Sequence, residues 1–125
     1  VNIFEGVAEH ADGLTVRMAS SDSPQGFDIV EDDRIPVGST AWLAVRPEKI
    51  QVHLDEPPPG PNRMGGKVAD IGYLGDWTTY LVELDSGRMI RAARANATRF
   101  VDRPVDWDDQ VWLTFARDAG VVLTQ

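Results

Sequence analysis

The sequence predicts an all-β fold built from two similar halves that form a barrel or a sandwich. Apolar and β-branched residues come in short runs, as strands require. Clusters of Gly, Pro, Asp and Ser separate the runs, and tight-turn signals such as Asp12-Gly13 and Asp85-Ser86-Gly87 stand between neighbours. Content and order also recur across a central proline run.

In chain order, residues 3–9 read as a strand, and Asp12-Gly13 turns the chain into a second over 14–18. Residues 20–25 read as a polar loop, 26–30 as a short strand, and Glu31-Asp32-Asp33 as solvated turn residues. The turn at 35–39 leads into a strand over 41–45. Arg46-Pro47-Glu48 ends it, because proline brings no N–H to a ladder and biases its predecessor toward extended backbone. Residues 50–54 then alternate cleanly, with His53 expected to face solvent.

The run Glu56-Pro57-Pro58-Pro59-Gly60-Pro61 is stiff and cannot lie inside a sheet, so it divides the chain into residues 1–55 and 62–125. Strands follow over 66–73, 77–84, 111–115 and 121–123. The stretch 88–95 admits two readings. Arg88, Arg91 and Arg94 recur at helical spacing among alanines, but alternation fits equally, and the hairpin turn just before it favours strand.

The halves parallel each other. The stretch Asn2 to Glu9 parallels Asn62 to Asp70, and residues 38–45 parallel 108–115, each of the latter a polar turn feeding a strand that starts with Trp-Leu. Similar content in similar order suggests two related β units that complete one another's barrel or sandwich, and neither is expected to fold alone.

With 125 residues, 42% of them hydrophobic, the chain is expected to form one domain with a real core. Twenty acidic against twelve basic residues give a net charge of −8, which argues against nucleic acid as a partner. The absence of cysteine removes disulfides, thiolate zinc sites and cysteine nucleophiles. No apolar run approaches the ~20 residues needed to cross a bilayer as a helix. Residue 1 is Val rather than Met, which leads to the expectation that the chain is cut from something longer.

Catalytic patterns are missing. His10 and His53 have no metal-ligand spacing, and neither a GxSxG elbow nor a GxxxxGK[ST] phosphate loop occurs. The acidic groups at 31–33 and 106–109 lack the spacing of a calcium loop. We therefore expect no catalytic residue, metal ligand or cofactor site here. Arg88, Arg91, Arg94, Arg99 and Arg103 form the one local positive stretch, interleaved with small and aliphatic residues rather than stacking aromatics, which suits a solvated strand face or a protein interface. Tyr73, Asp76, Trp77 and Tyr80 cluster around a tight bend at Gly75-Asp76, either as an interface lip or as a barrel plug. Arg46 and Glu48 flank Pro47, either pairing to fix a corner or facing a partner. The candidate interface or ligand surface is thus Arg46, Glu48, Tyr73, Asp76, Trp77, Arg91 and Asn96.

Several of these motifs, in this order, resemble a known family: residues 2–6, Gly38 through Val45-Arg46-Pro47-Glu48-Lys49-Ile50, Gly66-Lys67-Val68, Tyr73-Leu74-Gly75, Leu84 to Arg88, and Asn96. The chain is similar to the C-terminal TOBE (transport-associated OB) domain of ABC-transporter ATP-binding subunits, notably the spermidine/putrescine type. The resemblance implies an all-β, oligonucleotide-binding-like (OB-fold-like) β-barrel built from the two similar halves, non-catalytic and attached to an upstream ATPase domain, which would bring ATP and magnesium. It implies as partners that ATPase domain, a second copy of the subunit in a homodimer and, through the ATPase domain, permease subunits. The expected place is the cytoplasmic side of the inner membrane, and the expected work is support of dimerisation and regulation. A barrel that senses a polyamine or an oxyanion is the alternative, and a single-stranded nucleic-acid binder a lesser one.

Overall fold

A computed structural model describes residues 1–31, 35–95 and 105–124. Asp32, Asp33, Asn96, Arg99 and Arg103 therefore lie outside the described residues.

Among the described residues ten strands run β1 (Asn2–Ala11), β2 (Thr15–Ser20), β3 (Ser23–Val30), β4 (Thr40–Val45), β5 (Gln51–His53), β6 (Arg63–Leu74), β7 (Trp77–Leu84), β8 (Met89–Ala95), β9 (Gln110–Thr114) and β10 (Gly120–Leu123). A 3-10 turn, Pro47–Lys49, precedes β5. Alternation decides the faces: β1 buries Asn2, Phe4, Gly6 and Ala8 and turns Ile3, Glu5 and Val7 outward.

The strands form two antiparallel five-stranded sheets, ordered β10-β4-β1-β2-β3 and β5-β9-β6-β7-β8. The two orders are the same pattern. In each half the first four strands pair as third, second, first, fourth, and the fifth leaves for the other half's sheet. So β5 pairs with β9, and β10 pairs with β4.

Finer details repeat as well. Both first strands carry a bulge, between Ala8 and His10 and between Val68 and Asp70. Both are pinned at the bulge by the turn before the fourth strand, through Gly38 N–H to Ala8 O (2.7 Å) and Asp108 N–H to Val68 O (2.8 Å). Gly38 and Asp108 take positive φ of 88° and 64° to make those turns. Gly6 and Gly66 admit close backbone approach, since a Cβ would sit 2.5 Å from Ala19 O in one case and 2.6 Å from Glu83 O in the other.

A matched pair of asparagines ties each half to the other's sheet. Asn2 donates Nδ2–H to Arg91 O at 2.8 Å and accepts Arg91 N–H at Oδ1 at 2.9 Å. Asn62 does the same with Asp28, at 2.9 Å for both bonds. An amide is the side chain that offers donor and acceptor side by side, so each asparagine satisfies one residue of a sheet-edge strand completely. Between the sheets lies one core, with Phe4, Phe27 and Phe115 in mutual contact at ring-centroid separations of 5.1, 5.7 and 6.2 Å.

The two β2–β3 and β7–β8 turns also meet. Asp22 Oδ2 accepts from Arg88 Nε at 2.8 Å and Oδ1 from the Ser86 hydroxyl at 2.7 Å, with the Asp22 side chain only 4% exposed. Arg88 further donates to Ile3 O.

Three expectations need correction. The loop at 20–25 is a two-residue turn, and β3 already starts at Ser23, whose buried hydroxyl donates to Gly26 O and Arg63 O. Its polar composition hid a strand that, as a sheet edge, tolerates Pro24. The strand expected from 66 begins at Arg63, directly after the proline run. His53 is half-buried and shares a 2.7 Å hydrogen bond with Thr114 Oγ1 rather than standing free in solvent. The ambiguous stretch after Gly87 is strand: β8 pairs along β7 from Met89 to Ala95.

Candidate functional site

The β6–β7 hairpin closes on two residues, Gly75 and Asp76, because Leu74 pairs directly with Trp77. Such a turn needs left-handed backbone, and Gly75 supplies it at φ 64°. Its tip leaves large apolar groups in solvent: Tyr73 is 68% exposed, Leu74 64% and Trp77 44%.

Beside the tip, Pro47 starts a 3-10 turn closed by Lys49 N–H to Arg46 O (3.0 Å) and Ile50 N–H to Pro47 O (3.2 Å). Buried Ile50 anchors the turn, which packs against β8 and presents Glu48. The result is a groove of about 340 Å³ lined by Glu48, Leu74, Trp77, Thr79 and Ala93. A neighbouring groove of about 460 Å³ shares Glu48, Trp77 and Ala93 and runs along β5 past His53.

Of the residues expected to form a site, the structure brings Glu48 and Trp77 together. Asp76 stands at the turn apex beside them. Arg91 lies two residues before Ala93 on the same outward face of β8, its backbone held by Asn2 and its side chain exposed. Tyr73 sits one residue before Leu74 and so points off the opposite face of β6, past the end of the core. Tyr80 separates from this cluster altogether, since it is inward and buried. The aromatics are thus neither all lip nor all plug. Arg46 is exposed and, among the described residues, forms no ion pair with Glu48, so the proline corner is held by backbone bonds instead.

Leu74, Thr79 and Ala93 were missed as groove residues. The alternation of β7 and β8 was the available signal for the last two, because Thr79 and Ala93 are directly paired on the face that carries Trp77.

The chemistry on offer is apolar contact beside a carboxylate. Among the described residues no group of three His, Cys, Asp or Glu side chains could hold a metal ion. His10 lies 3.6 Å from Asp12 at an exposed turn, where N–H groups of Thr15 and Leu14 hold the Asp12 carboxyl below the usual carboxylate range. That aspartate is a turn cap. No helix among the described residues is long and apolar enough to cross a membrane.

Known proteins resemble the chain in sequence and in fold. The chain is 39% identical over 99% of its length to the Putrescine transport ATP-binding protein PotG of Escherichia coli (strain K12), covering 33% of that protein. It is 32% identical over 99% of its length to a Spermidine/putrescine import ATP-binding protein PotA of Chromobacterium violaceum, covering 34%. The chain therefore spans about a third of the length of these relatives. In fold it is similar to the cytoplasmic molybdate-binding protein ModG, solved with molybdate bound, at a TM-score of 0.80 with 11% identity, covering 99% of this chain and 96% of that one. The family model of the TOBE domain matches residues 43–123, from the middle of β4 to the end of β10. With that match across a paired-sheet barrel, the chain belongs to the TOBE domain family, in the type found with spermidine/putrescine ATP-binding subunits.

Proposed function

We propose that this chain is the accessory, non-catalytic domain of the ATP-binding subunit of a polyamine importer, placed at the cytoplasmic face of the membrane. There it supports pairing of two subunits and regulates transport. ATP and magnesium belong to the ATPase portion of such a subunit, which also contacts the permease. The similarity to putrescine and spermidine/putrescine ATP-binding proteins supports the setting. One observation supports the pairing role: Leu74 and Trp77 stand exposed on a rigid two-residue turn, beside a groove that could receive a partner's side chain. Aromatic and aliphatic anchors of this kind carry most of the energy of a protein interface.

Sedimentation velocity on the full-length subunit tests this. Leu74→Asp with Trp77→Asp is expected to weaken pairing about thirty-fold, the effect of losing one strong anchor. Dimers that remain equally tight in that variant, or without the domain, would overturn the reading.

A second reading is a sensor. Glu48 and Trp77 line one groove, and a carboxylate beside an indole face in a molecule of net charge −8 suits an ammonium group. The molybdate-binding protein ModG, similar in fold, was solved with that oxyanion bound. Thermal shift with spermidine, putrescine, molybdate and sulfate separates the cases. A rise with the amines that Glu48→Gln abolishes is expected on this reading, and no shift with any of the four leaves the scaffold role alone.

A further inference from the structure

The two halves share a backbone pattern but differ in what their sheets show to the outside. The registers match β1 with β6, β4 with β9 and β10 with β5. At matched outward positions Ile3 stands where the other sheet has Arg63, and Val7 where it has Lys67. Ala44 matches Thr114, Val121 matches Gln51, and Leu123 matches His53, while Trp42 and Trp112 match each other. One sheet is thus apolar at five places where its twin is polar.

Among the described residues these side chains stand exposed: Ile3, Val7, Val121 and Leu123 are 38%, 43%, 57% and 44% exposed. Contiguous apolar surface of this kind marks an interaction site. The polar twin shows that the scaffold does not require it.

Glu5 is the charged group inside the apolar face, on β1 between Ile3 and Val7 and directly opposite Trp42. That charge selects the partner. A second copy stacked face to face about a two-fold axis would bring two Glu5 carboxylates into one desolvated interface, between two acidic molecules. A surface with apolar groups around one Lys or Arg avoids that cost. The relatives are about three times as long as this chain, and β1, its first strand, crosses the face in question. In a subunit of that length this domain is tethered to the rest of the polypeptide. A tethered domain reaches the face at high effective concentration.

We infer that the outer face of the β10-β4-β1 sheet docks on the ATP-binding portion of the same polypeptide, with a basic side chain of that portion opposite Glu5. The inference rests on the reading of this chain as one domain of a longer subunit. The pairing contact proposed above uses the other sheet, so either can fail without the other.

The paired tryptophans provide an internal control. Both are half-buried in the free domain, one at the centre of each outer face. Hydroxyl-radical footprinting of the full-length subunit, diluted until sedimentation shows a monomer, is expected to oxidise Trp42 several-fold less than Trp112. Leu123→Lys or Glu5→Lys is expected to restore Trp42 oxidation and leave Trp112 unchanged. Equal oxidation of the two in the wild-type monomer would overturn the inference. Protection of Trp42 only at concentrations where the mass doubles would overturn it too, in favour of a second copy. Loss of pairing in the Leu74/Trp77 variant with Trp42 still protected would leave this inference standing.

Discussion

Expressed separately, residues 1–55 and residues 62–125 are each expected to lack a cooperative thermal transition, whereas the two mixed together are expected to regain the strand signal of the intact chain. The reason lies in the exchanged strands. Residues 1–55 lose β10 and leave β4 as a bare edge, and residues 62–125 lose β5 and leave β9 in the same state. Each half also loses the clasp that finishes its edge strand, because Asn62 satisfies Asp28 on β3 and Asn2 satisfies Arg91 on β8. The core divides badly as well, since Phe115 packs against Phe4 and Phe27 from the other side of the proline run. What remains in either half is one sheet with an uncovered apolar face, which cannot offset about 1–2 kcal/mol of backbone entropy per ordered residue. Circular dichroism melts and amide spectra of each fragment check this. A cooperative melt of either alone would show that the halves do not depend on each other.

Replacing Arg88 by Met is expected to cost about 2–3 kcal/mol in urea denaturation, near or below the low end of what breaking a buried ion pair costs. Asp22 would keep its nearly full burial but lose its cation, retaining only the Ser86 hydroxyl and its own surroundings. The value falls low in the range because Arg88 itself is 42% exposed and water can reach part of the site. Adding Asp22→Asn to Arg88→Met is expected to recover most of the loss, since the cost is an uncompensated buried charge rather than a missing attraction. A single Arg88→Met variant as stable as the parent would show that the contact between the two turns contributes nothing.

Much of this fold was legible because its signals are local. Alternation at residues 2–8, the turn at Asp12-Gly13 and the turn at Asp85-Ser86-Gly87 each report on neighbours in sequence, and the strands form there. The match of Asn2 with Asn62 and of Trp42 with Trp112 was also visible as repeated content. What the two asparagines do was not, because each bonds a residue in the opposite half. The strand at Ser23 was hidden for a similar reason: Ser23 is polar in composition yet buried, and its partner Arg63 is 40 residues away. For the groove, Glu48 and Trp77 were identifiable as unusual residues near Pro47 and Gly75. Their meeting depends on a 3-10 turn laid against β8, a contact without local periodicity. The difference between the two outer faces could be read only after register had fixed which positions correspond.

The strand exchange also governs when this domain can form during translation. Sheet β10-β4-β1-β2-β3 gains its last member only from residues 120–123, and Asn2 waits for a partner 89 residues later in sequence. Contacts of such separation make folding slow relative to local structures of the same size. A ribosome releasing the first half therefore holds an incomplete sheet until almost the whole chain has emerged, and truncated products carry open strand edges. For this architecture, a premature stop before residue 120 removes a strand from the sheet that β1 began.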